Sequence, residues 1–234
     1  FNFMVKNFTA VKTGSNDIVI IVIDDKSIGK YRWPWKRNLY CKVFNYLNEY
    51  AKPKVIVNDS IFATPDSENP KSDMEYFNCI RKINNLVVGF DFLPNKTKVN
   101  NNTYDYKFNK KFGLDIKDAR NFGREHSYQT LLAFPEPYFN SIKMVGSVKS
   151  PVSRDSFLRS IPYVVSYKDK LYPSLSLRAF SFINGNEGYI VEDNNIYGQN
   201  SHIIIPRTTD FYGVHTLLKF YKRYNNTNYT HKTY

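Results

Sequence analysis

Asp17-Ile18-Val19-Ile20-Ile21-Val22-Ile23-Asp24-Asp25 is a run of six β-branched apolar residues closed by two acids. It lacks the apolar–polar alternation of a half-exposed strand. A uniform run of this kind fits a central strand of a parallel sheet, buried on both faces. Outward from it, Tyr40, Val43, Phe44 and Leu47 recur at helical spacing within Arg37–Tyr50,. Pro53 ends that helix. Lys54–Ile61 reads as a second buried strand carrying Asp59. Asp73–Ile83 reads as a second helix with Phe77, Ile80 and Ile83 on one face, and Leu86–Phe92 as a third strand carrying Asp91. Strands alternating with helices imply parallel strands joined by right-handed crossovers.

Residues 96–129 are polar and rich in Asn and Lys, and they read as a long loop or insertion with a short helix near Asp115–Phe122,. Order returns with a short helix at Pro137–Ile142 and strands at Met144–Val148 and Ile161–Tyr167. A turn is expected at Ser153–Ser156, a helix at Ser174–Ile183, and short strands at Tyr189–Glu192 and His202–Ile205. The expected fold is α/β: a central, mostly parallel sheet with flanking helices, plus β-hairpin and helix additions in the C-terminal half. Residues 1–234 are expected to be a single domain, truncated at both ends.

Composition narrows the function. Lys and Arg outnumber Asp and Glu by 33 to 21, a formal charge of +12. The basic residues are dispersed, and no nucleic-acid-binding motif accompanies them, so a solvated basic surface is expected rather than a nucleic-acid partner. Four scattered histidines lack metal-ligand spacing. Cys41 and Cys79 form neither a zinc site nor a disulfide framework. Both fall in helical segments and read as buried or half-buried thiols, with a single bridge open to them in an oxidising compartment. No apolar run approaches the roughly 20 residues of a membrane-spanning helix. The chain starts at Phe1 without an initiator Met and is expected to be part of a longer protein,.

The stretch that carries chemistry is Asp24-Asp25-Lys26-Ser27-Ile28-Gly29-Lys30-Tyr31-Arg32-Trp33-Pro34-Trp35-Lys36-Arg37. Binding sites in parallel α/β sheets lie beyond the carboxyl ends of the strands. Asp24, Asp25, Asp59 and Asp91 all fall near predicted strand ends. Such acids could hold a divalent cation, but helix capping or pairing with Arg32 and Arg37 is the more common use, and it is favoured here. Ser27 is a plausible helix start. Trp33 and Trp35 could form a ligand wall, or, as favoured, a hydrophobic plug that locks the loop onto the sheet. Arg154 and Asp155 sit in a strand-to-strand turn, where Asp commonly bonds its own backbone. No nucleophile elbow, P-loop, zinc-protease helix or dinucleotide fingerprint is present. No catalytic residue, metal or cofactor is therefore assigned.

Ile-Asp-Asp-x-Ser at 23–27 and Arg-Trp-Pro-Trp-x-Arg at 32–37 resemble the type-two CHASE domain, a cyclase- and histidine-kinase-associated sensory extracellular domain. The resemblance continues through Pro53–Phe62, Gly146–Ser150, Ser153-Arg154-Asp155, Arg159–Pro162 and Tyr172–Leu177. Ser156 stands where the family often has Gly. The resemblance implies a sensor on the outer side of a bacterial membrane. It would be anchored by segments outside this sequence and coupled to a cyclase or kinase output. A small ligand or an extracellular or periplasmic protein would bind near the carboxyl edge of the sheet, around Asp24, Asp25, Trp33 and Asp59, and the full receptor would be a homodimer. A ligand-free dimerisation spacer is the rival reading, and a metal-dependent hydrolase the weakest.

Overall fold

The computed structural model describes residues 17–31, 33–93, 102–114, 130–150, 158, 160–168, 170–185, 189–192, 195–198, 204–206, 209–210 and 213–217. The chain divides into two compact units, one of Phe1–Trp35 with Leu217–Tyr234 and one of Lys36–Thr216.

In the smaller unit, the run Asp17–Ile23 is not a buried central strand. Only Ile20 carries a β-bridge, and Ile18, Val19 and Ile20 are 67%, 50% and 49% exposed. A β-branched run becomes a strand only where a neighbour completes its ladder. The central place in the sheet of the larger unit belongs to a different segment. Helix α1 follows at Asp25–Tyr31.

The larger unit starts with α2 at Asn38–Tyr46, extended by a π-turn over Leu47–Ala51. Lys52 adopts the left-handed conformation that stops the helix, just ahead of Pro53,. Strand β1 is Ile56–Asn58, shorter than the predicted Lys54–Ile61. Helix α3 is Pro70–Ile80, with its proline in the first turn,. Strand β2, Leu86–Leu93, pairs in parallel with β1 through Ile56↔Leu86 to Asn58↔Val88.

The predicted polar insertion contains an eleven-residue helix, α4, Asn102–Phe112. Tyr104, Phe108 and Phe112 recur every four residues and form a narrow apolar stripe among Asn and Lys,. Phe108 and Phe112 are buried. The helix expected at Asp115–Phe122 lies outside the described residues.

Strand β3, Thr130–Leu132, runs antiparallel to the far end of β2, and a 3-10 turn occupies Glu136–Ser141. Strand β4, Met144–Ser147, pairs in parallel with β2 through Val87↔Met144 to Phe90↔Ser147. Thus β1, β2 and β4 form the parallel sheet of an α/β fold, as expected, with β2 at its centre. The predicted strand Ile161–Tyr167 is split into β5, Ser160–Pro162, and β6, Val164–Tyr167. A tight turn joins β6 to its antiparallel partner β7, Lys170–Pro173. Helix α5, Leu175–Ile183, is capped by Ser174, whose side chain accepts the Leu177 N–H,. Beyond it, β8 (Tyr189–Glu192), β9 (Asn195–Gly198) and β10 (Ile204–Pro206) form an antiparallel sheet.

Aromatic rings fill the core in two groups. Tyr40 and Phe44 of α2 meet Tyr76 of α3, and Phe77 stacks on Tyr138 at 3.9 Å between ring centroids. Phe90 and Phe92 of β2 pack against Phe108 of α4 and against Tyr167 and Tyr172 of the β6–β7 hairpin. Polar bonds fix the second group. The Lys168 ammonium pairs at 2.6 Å with buried Asp105. The Tyr172 hydroxyl bonds the Asn109 side chain. The former insertion is thereby part of the core.

Helix α5 approaches β4 across Gly146. A Cβ there would lie 2.5 Å from Leu175 Cα and 2.9 Å from Leu175 N, and both are backbone atoms. Gly146→Ala is expected to cost about 3 kcal/mol in urea unfolding, at the upper end of overpacking effects. Gly29→Ala in α1 meets nothing within 4 Å. It is expected to be neutral or to stabilise by up to about 1 kcal/mol.

Candidate functional site

In the smaller unit, Asp24 closes the start of α1. Its Oδ1 accepts the Ser27 N–H at 2.8 Å. Hydrogen bonds from the Ser27 side chain and backbone hold the Asp24 carboxyl below its ordinary range,. Ser27 is buried, whereas Asp25, the first residue of the helix, is exposed. Trp33 is 58% exposed, so it is not the buried plug expected of it. Trp35 is half-buried and meets Tyr31 edge-on at 5.9 Å and Trp33 at 6.4 Å. Trp35 thus joins Tyr31 and Trp33 through edge-on and tilted ring contacts,. Arg32, Arg154 and Asp155 lie outside the described residues.

The larger unit places Arg37 where sequence reasoning did not. It is buried, and its partner is Asp73 of α3 rather than an acid at a strand end. Nη1 lies 2.7 Å from Asp73 Oδ1, an ion pair without the alignment of a good hydrogen bond. Nη2 donates to the Thr64 carbonyl. The guanidinium also lies over the Phe62 ring, 4.7 Å from its centroid,. Asp73 Oδ2 accepts the Asp66 N–H at 2.8 Å, and Asp66 Oδ1 accepts the Asn69 N–H at 2.9 Å. One guanidinium therefore anchors the start of α2, the loop after β1 and the first turn of α3. Nothing in the sequence marked Asp73 as its partner. An acid in a first helical turn reads equally well as a partner of the helix dipole.

The carboxyl ends of the parallel strands converge around Gly89. A Cβ at Gly89 would lie 3.0 Å from Val148 Cγ1, 3.1 Å from the Asn58 carbonyl and 3.3 Å from Asp59 Cα. Asn58 is buried and donates to the Tyr76 hydroxyl at 3.1 Å, while its Oδ1 accepts the Ser60 N–H. Burial pushes the Tyr76 phenol well above its usual range,. Asp59, next in sequence, is exposed. Asp91 is not at the end of a strand. It lies within β2, paired with Leu132. Its Oδ1 is 3.8 Å from Lys149 Nζ, which donates to the Phe92 carbonyl at 2.7 Å. The edge thus presents an open carboxylate, Asp59, together with a half-buried acid–lysine pair, Asp91 and Lys149.

Of the four acids predicted to line one edge, only Asp59 and Asp91 belong to the larger unit. Among the described residues, no group of three or more His, Cys, Asp or Glu could hold a metal ion. No helix there is long and apolar enough to cross a membrane. The edge offers charge and hydrogen bonding for a polar ligand.

Breaking the buried pair should separate scaffold from surface. Asp73→Asn leaves Arg37 buried without its counter-charge and is expected to lower unfolding stability by about 3 kcal/mol. Asp59→Asn, on the exposed edge, should stay within about 0.5 kcal/mol of wild type. Urea unfolding of both variants distinguishes the two roles.

The sequence model of the CHASE2 domain matches residues 2–233. The chain belongs to the CHASE2 family, whose domains are sensory extracellular parts of signalling receptors. Neither a curated protein nor a solved structure gives a significant match.

Proposed function

We propose that this CHASE2 domain is the extracytoplasmic input module of a bacterial membrane receptor whose output is a nucleotide cyclase or a kinase. Segments outside this sequence anchor the receptor, and it works as a homodimer. The domain performs no catalysis itself. It senses a small polar ligand or an extracellular protein at the carboxyl edge of the parallel sheet, around Asp59, Asp91 and Lys149.

One observation carries this reading. Asn58 is locked into the core, yet the adjacent Asp59 stands exposed at the end of β1, beside the loop that Arg37 and Asp73 hold. A rigid strand end presenting an exposed charge next to a clamped loop is a fixed recognition element on a segment with two sides. Ligand binding shifts output only in so far as it favours one arrangement of that segment.

Asp59→Asn in the full receptor tests the site. The expected result is a change of roughly fivefold or more in basal output or in ligand sensitivity, with thermal stability unchanged. Unchanged output at unchanged stability would remove the edge from the sensing mechanism.

A further inference from the structure

Helices α2 and α3 run side by side in a constant register. Asn38 N–H bonds Ser72 Oγ at 3.0 Å, Cys41 Sγ bonds the Glu75 carbonyl at 3.7 Å, and Cys79 Sγ bonds Asn45 Oδ1 at 3.5 Å. In all three contacts the residues are 34 apart in sequence. Each cysteine therefore reaches the turn of the helix that carries the other. Cys41 Sγ also reaches the Tyr76 carbonyl at 3.7 Å. The Glu75 carbonyl it touches is the one that the Cys79 N–H bonds in a regular α-helix. The two thiols are close enough to shift each other's ionisation in opposite directions. Both are free, Cys41 buried and Cys79 half-buried.

We propose that Cys41 and Cys79 are an oxidisable pair that closes an intramolecular disulfide between α2 and α3 when a disulfide donor reaches Cys79. The order of attack follows from accessibility. Cys79 is the sulfur open to solvent, and Cys41 lies behind it in the α2–α3 seam. Interaction with the Cys41 thiol lowers the Cys79 thiol below its ordinary value, with Lys82 acting in the same direction,. The same interaction, together with burial, raises Cys41. Cys79 therefore reacts first as the thiolate, and Cys41 resolves.

The chemistry balances with one disulfide donor, RSSR. The Cys79 thiolate attacks one donor sulfur. A mixed disulfide forms, the donor S–S bond breaks, and RS⁻ leaves and is protonated. Cys41 then loses its proton to solvent and attacks the Cys79 sulfur. The second RS⁻ leaves and takes up a proton. Two protein thiols are oxidised, and the donor is reduced to two thiols. The sulfurs must close to about 2.05 Å, across a seam already in register.

The test exposes the native full-length protein to oxidised glutathione, then denatures and alkylates it without reductant before peptide mapping. The expected product is a linked pair of peptides carrying Cys41 and Cys79, lighter than the two thiol forms by two hydrogens. Cys41→Ser should stop at a glutathione adduct on Cys79, whereas Cys79→Ser should leave Cys41 free of glutathione and alkylated. Alkylation of both wild-type thiols would overturn the proposal. So would a wild-type adduct that stays on Cys79, or a bridge between two copies. The wild-type map decides the matter even if neither variant folds. It reads the thiols alone, so it stands or falls independently of the sensing edge.

Discussion

The ion pair between Arg37 and Asp73 is the constraint on which the larger unit turns. Two buried charges are costly unless each finds its partner and its hydrogen bonds. Here Asp73 takes the guanidinium on one oxygen and the Asp66 N–H on the other. Arg37 adds the Thr64 carbonyl and the Phe62 ring. The pair therefore sets the position of three pieces of chain that are far apart in sequence. Hydrophobic packing alone would tolerate several arrangements of the loop after β1. A charge that must be satisfied tolerates few.

The same logic explains how the segment 102–112 enters the core. Its composition is polar, but Asp105 and Asn109 face inward with Phe108 and Phe112. Each buried polar group meets a group from the β6–β7 hairpin, Lys168 for Asp105 and Tyr172 for Asn109. Lys168 sits in the hairpin turn with a positive φ of 44°, a conformation that side chains other than glycine seldom adopt,. Its ion pair offsets that cost. Tyr172 is fully buried, and burial holds its phenol well above the ordinary range. It therefore stays a neutral donor to Asn109.

These cases mark what the sequence discloses and what it hides. The parallel pairing of the segments around Val57 and Val88 was legible, because buried strands and amphipathic helices leave periodic signals; the strand at Met144–Val148 was expected too, but not its parallel place beside β2. The motif Arg-Trp-Pro-Trp-x-Arg at 32–37 gave the family. Three things were not legible. Asp17–Ile23 has strand composition, but composition does not say which strand the sheet accepts. The stripe Tyr104–Phe108–Phe112 is diluted by lysines and asparagines. The choice of Asp73 by Arg37 is a long-range event, and one charged residue in a first helical turn looks like another. Within the candidate site, Asp59 was named from its place at a strand end. Lys149 was missed because a lysine in a polar, serine-rich run carries no distinguishing mark.

The seam between α2 and α3 connects these observations. At its start lies the Arg37–Asp73 pair. Next to it, Asn38 spans the helices to Ser72 and to Glu75. Further along lie Cys41, Asn45 and Cys79. Parallel helices tied at successive turns in one register cannot slide without breaking several contacts together, so they move as one body. The segment between them, β1 and its following loop, carries Asn58, Asp59, Phe62 and Thr64. Arg37 and Asp73 travel with the helix pair, whereas Phe62, Thr64 and Asp66 belong to the loop. Displacing either against the other costs the desolvated guanidinium its carbonyl and ring contacts and Asp73 its bond from the Asp66 N–H. The loop beside Asp59 therefore keeps its place only while the buried ion pair is satisfied.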